Sequence, residues 1–265
     1  MGTDLSQPRI VAVTGAFGIL GAAVARAAAG QGARVALIDF ANNAPEGLVA
    51  ACGPDALALS GVDLTDPDGA RSAIDEAAAR FGGLDALINV AGGFAWQTHA
   101  DGDPAVWDRL YALNVRTTAN AIRAAIPHLR ASSAGRIVNV GANGAVKSAA
   151  GMGAYAASKA GVHRLTESLA EELKGEVTVN AVLPSIIDTP TNRADMPDAD
   201  VASWVRADEL AAVMLVPGLA GRQRRDRRPD PGHRPGLNRR SCYAKAAWRG
   251  ESSHRGVDGW REPTK

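Results

Sequence analysis

The stretch that decides the fold is Thr14-Gly-Ala-Phe-Gly-Ile-Leu-Gly21, which joins an apolar run to an alanine-rich helical pattern. Its Gly-x-x-Gly-x-x-Gly spacing predicts a tight turn between a strand and a helix. Gly15 permits the turn, Gly18 lets the backbone approach a pyrophosphate, and Gly21 lets the helix pack closely on the sheet. Because helix N-termini attract phosphate groups, we predict a dinucleotide site here, with a plain structural turn as the alternative. The residues expected to border the cofactor are Thr14, Gly15, Phe17, Gly18, Ile19, Leu20 and Gly21.

Short apolar runs alternate with longer helical patterns over residues 1–215. Near-continuous apolar strands are typical of a sheet that is covered on both faces, and strict alternation with helices indicates parallel strands. The sequence therefore predicts one Rossmann-type α/β domain, a doubly wound parallel sheet with helices on both faces. The expected strands are 10–13, 35–38, 56–59, 87–88, 137–140 and 177–183, and the expected helical stretches are 20–29, 69–80, 105–130 and 154–174.

Composition narrows the class of protein. Of 265 residues, 46% are apolar, which predicts a packed globule. No apolar run reaches the roughly 18 residues of a membrane helix, and residues 1–9 lack the pattern of a secretory signal. Cys52 and Cys242 are too few and too far apart for a disulfide framework or a metal site. We expect a cytoplasmic protein without a metal and without a membrane partner.

The chain after residue 215 differs sharply from what precedes it. Residues 1–216 carry 16 basic and 23 acidic side chains, whereas residues 217–265 carry 13 basic and 5 acidic ones. The latter segment has 11 Arg, 7 Gly and 5 Pro but only three residues from Val, Leu, Ile and Phe. We expect 216–265 to be an irregular basic tail, either disordered or read from a shifted frame, and to leave the sheet without its last edge strand.

Asp39 ends the second predicted strand, 18 residues after Gly21. An acidic side chain at this place accepts hydrogen bonds from an adenosine ribose and repels a 2′-phosphate. No Arg or Lys occupies residues 16–20 or 40–45. We therefore expect NAD(H) rather than NADP(H), with a turn-capping Asp as the alternative.

Tyr155 and Lys159 lie four residues apart within a helical pattern and so share one helix face. The ordinary pKa of a Tyr hydroxyl, about 10, is too high for easy proton exchange near neutrality. A neighbouring ammonium group lowers that pKa, so the pair is suited to general acid–base catalysis. Such a pair is also common on plain helix surfaces.

Together these segments resemble the short-chain dehydrogenase/reductase family. The matching motifs, in family order, are the glycine turn 14–21, Asp63-Leu64, Asn89-Val-Ala-Gly92, Asn114 within Leu-Asn-Val, Tyr155-x-x-x-Lys159, and Asn180-Ala-Val-Leu-Pro184 followed by Thr189. The resemblance implies an oxidoreductase that moves hydride between nicotinamide and a small carbonyl, alcohol or conjugated substrate. It also implies a homo-oligomer, whose contacts an altered C-terminus would compromise.

The resemblance assigns roles to individual residues. Tyr155 is implied as general acid/base, Lys159 as its partner and as a ligand of the nicotinamide ribose, and Asn114 as the holder of a relay water. Asp63 and Leu64 are implied to contact adenine. The remaining residues implied to border the cofactor are Asn89, Ala91, Gly92, Pro184, Ile187 and Thr189.

One departure from the family pattern concerns the substrate. The family usually has a Ser 13 residues before the Tyr, and this chain has Ala142, which has no donor. Asn143 and Ser148 are the nearby candidates to replace it. Local similarity to dihydropteridine-reductase-like members, which also lack the Ser, makes reduction of a quinonoid pteridine an alternative function. A protein that binds NAD(H) without turnover is a second alternative.

Other features carry less weight. Phe94, Trp96 and Trp107 follow the fourth strand and are predicted either to line a substrate pocket or to pack in an ordinary way. His99, His128 and His163 lack metal-ligand spacing. The Arg-rich run 221–228 is the only feature that points to nucleic acid, and it lacks interleaved aromatic residues, so we expect a small-molecule substrate instead.

Overall fold

The computed structural model describes residues 9–216 and the backbone of residues 243–244. A parallel sheet with the strand order β3-β2-β1-β4-β5-β6-β7 forms its centre. The strands are β1 (Ile10–Thr14), β2 (Arg34–Ile38), β3 (Leu57–Leu59), β4 (Ala86–Asn89), β5 (Arg136–Val140), β6 (Thr178–Val182) and β7 (Tyr243–Ala244). The helices are α1 (Ile19–Gly30), α2 (Leu48–Ala51), α3 (Pro67–Phe81), α4 (Ala105–Tyr111), α5 (Thr117–Ala131), α6 (Gly153–Glu172), α7 (Pro190–Asp195) and α8 (Ala207–Met214).

Side chains alternate between the two faces of the sheet, as the apolar runs predict. In β1, Ile10 and Ala12 pack with α3, α5 and α6, whereas Val11 and Val13 pack with α1 and α8. The same alternation holds along β2 and β5, so each strand contributes to two apolar cores. The predicted doubly wound sheet with helices on both faces is confirmed.

The order of the strands reverses between β1 and β4. The chain winds outward from β1 to β3, and then returns to place β4 on the other side of β1. In such sheets the crossover leaves a crevice at the carboxyl ends of the two strands, where ligands bind. The glycine turn after β1 and residues 90–92 after β4 lie at this crevice, since Val90 N donates to Thr14 O.

The helical stretch predicted over 105–130 is interrupted. Residues Ala112–Arg116 form one turn of π-helix between α4 and α5. The hydroxyl groups of Thr117 and Thr118 donate to Leu113 O and Asn114 O, four residues earlier, and such side-chain bonds disturb regular helix pairing. The widened turn points Asn114 into the protein, where it is fully buried. Such π turns are frequent at functional sites.

Most of the tail predicted over 216–265 lies outside the described residues, including Cys242 and the Arg-rich run. Its one described element is β7, whose residues Tyr243 and Ala244 pair with Ala181 and Val182. The expectation that the sheet lacks a strand beside β6 is therefore wrong at these two positions. Backbone groups pair whatever the side chains are, so an apolar run is not required there.

Among the described residues, no helix is long and apolar enough to cross a membrane.

Candidate active site

The three glycines of the turn after β1 are present for different reasons. Gly15 has a φ of +63°, and a Cβ there would lie 2.7 Å from Ala91 N. At Gly21 a Cβ would overlap the carbonyl oxygen of Gly15. At Gly18 a Cβ would meet the Gly15 oxygen at 3.5 Å, an ordinary contact. Packing therefore requires Gly15 and Gly21, whereas Gly18 leaves open space over an exposed turn.

The helix that follows this turn offers unshared N–H groups. Gly18 is the N-cap residue of α1, and among the described residues no side chain caps this helix. Ile19 is exposed, whereas Leu20 is buried among the apolar residues between α1 and the sheet. An uncapped helix start beside an open glycine fits the phosphates of a dinucleotide. The Leu20 side chain has a packing role, so its backbone is what borders the crevice.

Asp39 is tied to the glycine turn. One carboxylate oxygen accepts from Phe17 N at 2.8 Å, and the other accepts from Ala41 N at 2.9 Å. The side chain is half-buried at the end of β2. The capping role that the sequence left as an alternative is therefore present, and it holds the carboxylate beside the turn.

A chain of buried polar side chains crosses the sheet beneath the crevice. Thr14 Oγ1 accepts from Val90 N and Ala91 N and donates to Asn89 Oδ1 at 3.4 Å. Asn89 Nδ2 donates to Asn139 Oδ1, and Asn139 Nδ2 donates to Thr166 Oγ1, both at 2.9 Å. These bonds thus connect the end of β1 to α6.

Sequence reasoning missed part of this chain. Thr14, Asn89 and Asn139 are register neighbours on β1, β4 and β5, and such neighbours are invisible until the strand order is known. The signal available in the sequence was a polar residue at or next to the carboxyl end of each of these otherwise apolar strands. Asn89 is 2% exposed, so it supports the crevice from below, and contact with the cofactor stays a prediction.

Asn114 holds the loop after β4 against α6. Its Oδ1 accepts from Gly93 N, and its Nδ2 donates to Gly93 O and to Ser158 Oγ, at 2.9–3.0 Å. A Cβ on Gly92 would lie 2.5 Å from Asn114 Oδ1 and 3.3 Å from Lys159 Nζ. Asn114, Gly92 and Lys159 are therefore together, as the resemblance implies. The role of Asn114 in holding a relay water stays a prediction.

Asp63 and Leu64 have local structural partners. Asp63 Oδ1 accepts from the backbone N–H and the hydroxyl of Thr65. Leu64 is 5% exposed within the core, and its carbonyl oxygen accepts from Asn120 Nδ2 at 3.0 Å. Asn120, on α5, was not identified from the sequence. Contact of Asp63 and Leu64 with adenine stays a prediction.

Tyr155 and Lys159 both lie on α6, as predicted, but the pKa of the hydroxyl moves the opposite way. Burial raises the pKa of Tyr155 to about 12, because the phenolate loses its hydration. Burial also lowers the pKa of Lys159 to about 8, and its ammonium group donates to Val140 O at 2.8 Å. Burial accounts for the raised pKa of Tyr155, and the expectation that Lys159 lowers that pKa stays a prediction.

Ala142 lies two residues after β5, at the start of the 3-10 turn, and is almost fully buried. Its N–H donates to Nε2 of His163 at 3.2 Å. Ser148 is exposed, and its hydroxyl donates to the adjacent Ala149 O. Asn143 is exposed at the start of a 3-10 turn, Asn143–Ala145. Neither is held towards Ala142 by a described hydrogen bond, so replacement of the serine by either one stays a prediction.

The segment after β6 closes the site on the far side. Pro184 is buried, and its carbonyl oxygen accepts from Asn143 N. Thr189 Oγ1 caps α7 by accepting from Asn192 N, while Asn192 Nδ2 donates to Ile187 O at 2.7 Å. Asp188 forms a two-bond ion pair with Arg193. Ile187 and Thr189 therefore shape this segment, and their contact with the cofactor stays a prediction.

Three aromatic side chains lie close to the start of α6. The Phe94 ring packs edge-on against the Tyr155 ring, with centroids 4.9 Å apart. Trp96 Nε1 donates to Ala150 O, which fixes the indole over Gly151. A cavity of about 210 Å³ lies beside them, lined by Gln97, Thr98, His99, Trp107, Ala149, Gly151, Gly153 and Ala154. Trp107 lines this cavity, whereas Phe94 packs against Tyr155 and Trp96 lies against Gly151, so both interpretations of these aromatic residues, a substrate pocket and ordinary packing, stay predictions.

Comparison with known proteins gives a consistent result. The family model described as short chain dehydrogenase matches residues 9–200. The chain is 35% identical over 210 residues to a putative ketoacyl reductase of granaticin polyketide synthesis from Streptomyces violaceoruber, covering 78% of this chain and 84% of that protein. It is 33% identical to 2-(S)-hydroxypropyl-CoM dehydrogenase 3 from Xanthobacter autotrophicus, covering 76% and 80%.

Solved structures are similar as well. A short chain dehydrogenase from Burkholderia cenocepacia in complex with NADP shares 34% identity at a TM-score of 0.70, covering 78% of this chain and 89% of that one. A 3-ketoacyl-(acyl-carrier-protein) reductase from Brucella melitensis complexed with NADH shares 27% identity at a TM-score of 0.71, covering 82% and 92%. One of these relatives holds NADP and the other NADH.

Proposed function

The chain belongs to the short-chain dehydrogenase/reductase family and is a short-chain oxidoreductase, and from that premise we propose that it reduces a small carbonyl compound with NADH, using Tyr155 as proton donor. The observation that carries the proposal is the position of α6. It brings Tyr155 into contact with the Phe94 ring and Lys159 close to Gly92, at the crevice beside the glycine turn. A bound nicotinamide ring supplies the hydride.

The chain's own groups supply the rest of the reaction. The high pKa of Tyr155 keeps its hydroxyl protonated near neutral pH, which is the form that reduction consumes. As hydride reaches the carbonyl carbon, the carbonyl oxygen takes the Tyr155 proton and becomes the alcohol. The Lys159 ammonium, which is held by Val140 O, stabilises the phenolate that remains.

NADH as the preferred cofactor rests on Asp39. Its carboxylate is fixed beside the turn by Phe17 N and Ala41 N, where it would repel a 2′-phosphate. The test is the dissociation constant for NADH and for NADPH, measured with the unmodified protein, Asp39→Ala and Asp39→Asn. Asp39→Asn keeps one acceptor for the turn but removes the charge.

We expect the unmodified protein to bind NADH at least about tenfold more tightly than NADPH. In both variants the ratio of the two dissociation constants should be closer to one. If the two dissociation constants lie closer together in Asp39→Asn, the preference for NADH comes from the charge of Asp39 rather than from the shape of the turn. Equal affinity of the unmodified protein for the two cofactors would contradict the assignment.

A second candidate substrate is a conjugated ring such as a quinonoid pteridine. Ala142 favours it, because hydride transfer to a conjugated ring requires less polarisation of one carbonyl oxygen. NADH oxidation with a panel of simple ketones and quinonoid substrates separates the two. NADH binding without oxidation of any of them would favour the non-catalytic alternative.

The oligomeric state and the cellular location of the protein are also proposals. We infer a homo-oligomer, in line with the family resemblance, and sedimentation of the purified chain tests it. We infer a cytoplasmic location because NAD(H) is available there and Cys52 is a buried free thiol. Cell fractionation tests the location.

A further inference from the structure

Two hydrogen bonds join α6 to the segment 140–142. The α6 side chain is the donor in one bond and the acceptor in the other. Lys159 Nζ donates to Val140 O at 2.8 Å, and Ala142 N donates to Nε2 of His163 at 3.2 Å. Lys159 and His163 are one helical turn apart, while Val140 ends β5 and Ala142 lies two residues after it. One face of α6 therefore fixes both sides of Gly141.

The His163 ring is fitted into space that Gly141 leaves. The side chain is 3% exposed, and a Cβ on Gly141 would overlap Nε2. Gly141 is held from the other side, because its N–H donates to Val182 O at 2.9 Å. A backbone N–H is always a donor, so Nε2 must be unprotonated to accept from Ala142. Burial, together with the charges of Arg164 and Lys159, lowers the pKa of His163 and favours that neutral form.

The segment that these two bonds hold contains Ala142, the position at which the family usually has a Ser that donates to the substrate. Ala142 O accepts from Ala145 N in the 3-10 turn, and Asn143 N donates to Pro184 O. Alanine has no side chain that could hold this strand end by a hydrogen bond. The position of segment 140–143 relative to α6 therefore depends on contacts with the backbone of this segment. His163 makes the contact with Ala142 N.

We propose that His163 is a positioning residue for the reduction, which holds Ala142, just after β5, in the place that Tyr155 and Lys159 require. The inference rests on the proposed function. His163 acts through the backbone and does not touch substrate. If it merely filled space, any side chain of similar size would serve. If it positions Ala142, an acceptor at the place of Nε2 is required.

The test uses His163→Gln and His163→Leu in the full chain. The Gln side-chain oxygen can accept from Ala142 N, whereas Leu fills the space without an acceptor. We expect Leu to lower kcat about tenfold, since a small misplacement of reacting groups is costly, with less than a twofold change in the Kd of NADH. We expect Gln to restore most of the lost kcat.

The matched control is His128→Leu. His128 is partly exposed and pairs with Asp75 on the protein surface, so this variant should leave kcat unchanged. Equal loss in the Gln and Leu variants, or no loss in either, would overturn the positioning role.

A second readout is independent of turnover. In the unmodified protein and in His163→Gln, the Ala142 amide should exchange slowly with solvent deuterium. In the unmodified protein, ¹⁵N shifts of the His163 ring should also show Nε2 without a proton. In His163→Leu the Ala142 amide should exchange faster. Absence of NADH oxidation in the unmodified protein would count against the proposed function. Rapid Ala142 exchange in the unmodified protein would count against the positioning role.

Discussion

The two halves of the site are built in different ways. In the nucleotide half, residues 14–39, the backbone itself forms the site, and glycines dictate its path. In the catalytic half, residues 140–163, side chains of α6 reach across to the backbone of β5. The first half is formed mostly by neighbours in sequence, whereas the second exists only after a helix has packed on a strand. We therefore expect substitutions to affect binding in the first half and turnover in the second.

The largest expected effect tests the catalytic half. Tyr155→Phe keeps the ring that packs against Phe94 but removes the proton donor. We expect kcat to fall by about 100-fold or more, with the Kd of NADH nearly unchanged. Steady-state kinetics together with NADH titration measure both quantities. An unchanged kcat in this variant would contradict the proposed role of Tyr155 as proton donor.

A matched pair tests the nucleotide half. In Gly21→Ala the new methyl overlaps the Gly15 carbonyl oxygen, so we expect a loss of about 1–3 kcal/mol in the free energy of unfolding. In Gly18→Ala the methyl meets the protein at 3.5 Å, so we expect less than about 1 kcal/mol, together with weaker NADH binding. Urea denaturation and NADH titration separate stability from binding. Unchanged NADH affinity in Gly18→Ala would show that this glycine does not serve the cofactor.

The buried ammonium group of Lys159 makes stability depend on pH. Its pKa is about 8 in the folded protein and near 10.5 in the unfolded chain. Between these values the unfolded chain binds more protons, so the contribution of Lys159 makes the folded state more stable as pH rises from 8 towards 10.5. Lys159→Met should remove this rise, as measured by urea denaturation at pH 8, 9 and 10. A slope of the same size in both proteins would assign the dependence to other groups.

The smallest expected effect is that of Ala142→Ser. The added hydroxyl can donate to a substrate oxygen, but the present contact of this residue with α6 is made by its backbone N–H, which does not orient a side chain. We expect about a threefold gain in kcat/KM with simple ketones, far below the value of a preorganised donor, and no gain with quinonoid substrates. A gain of 100-fold would show that the catalytic half is already arranged for serine. A loss of folding would show that the buried site cannot accept the hydroxyl.

Residues that form a local pattern could be predicted from the sequence. The glycine turn, Asp39, and the spacing of Tyr155 and Lys159 were all placed correctly on their elements, because turns and helix faces depend on near neighbours. Asn139, Asn120 and the role of His163 could not be predicted. Each one acts through a partner on another element, such as Asn89, Leu64 or Ala142.

The sequence by itself determined the doubly wound sheet and the turn after its first strand, since apolar periodicity and glycine spacing leave few other arrangements. It also predicted Tyr155 and Lys159 as the acid–base pair. Only the tertiary structure decided the electrostatics. A Lys near a Tyr lowers the pKa of the Tyr in water, but burial of both raised that of Tyr155 to about 12 and lowered that of Lys159 to about 8. Desolvation depends on what packs around a group, and packing is a property of the folded chain rather than of residue spacing.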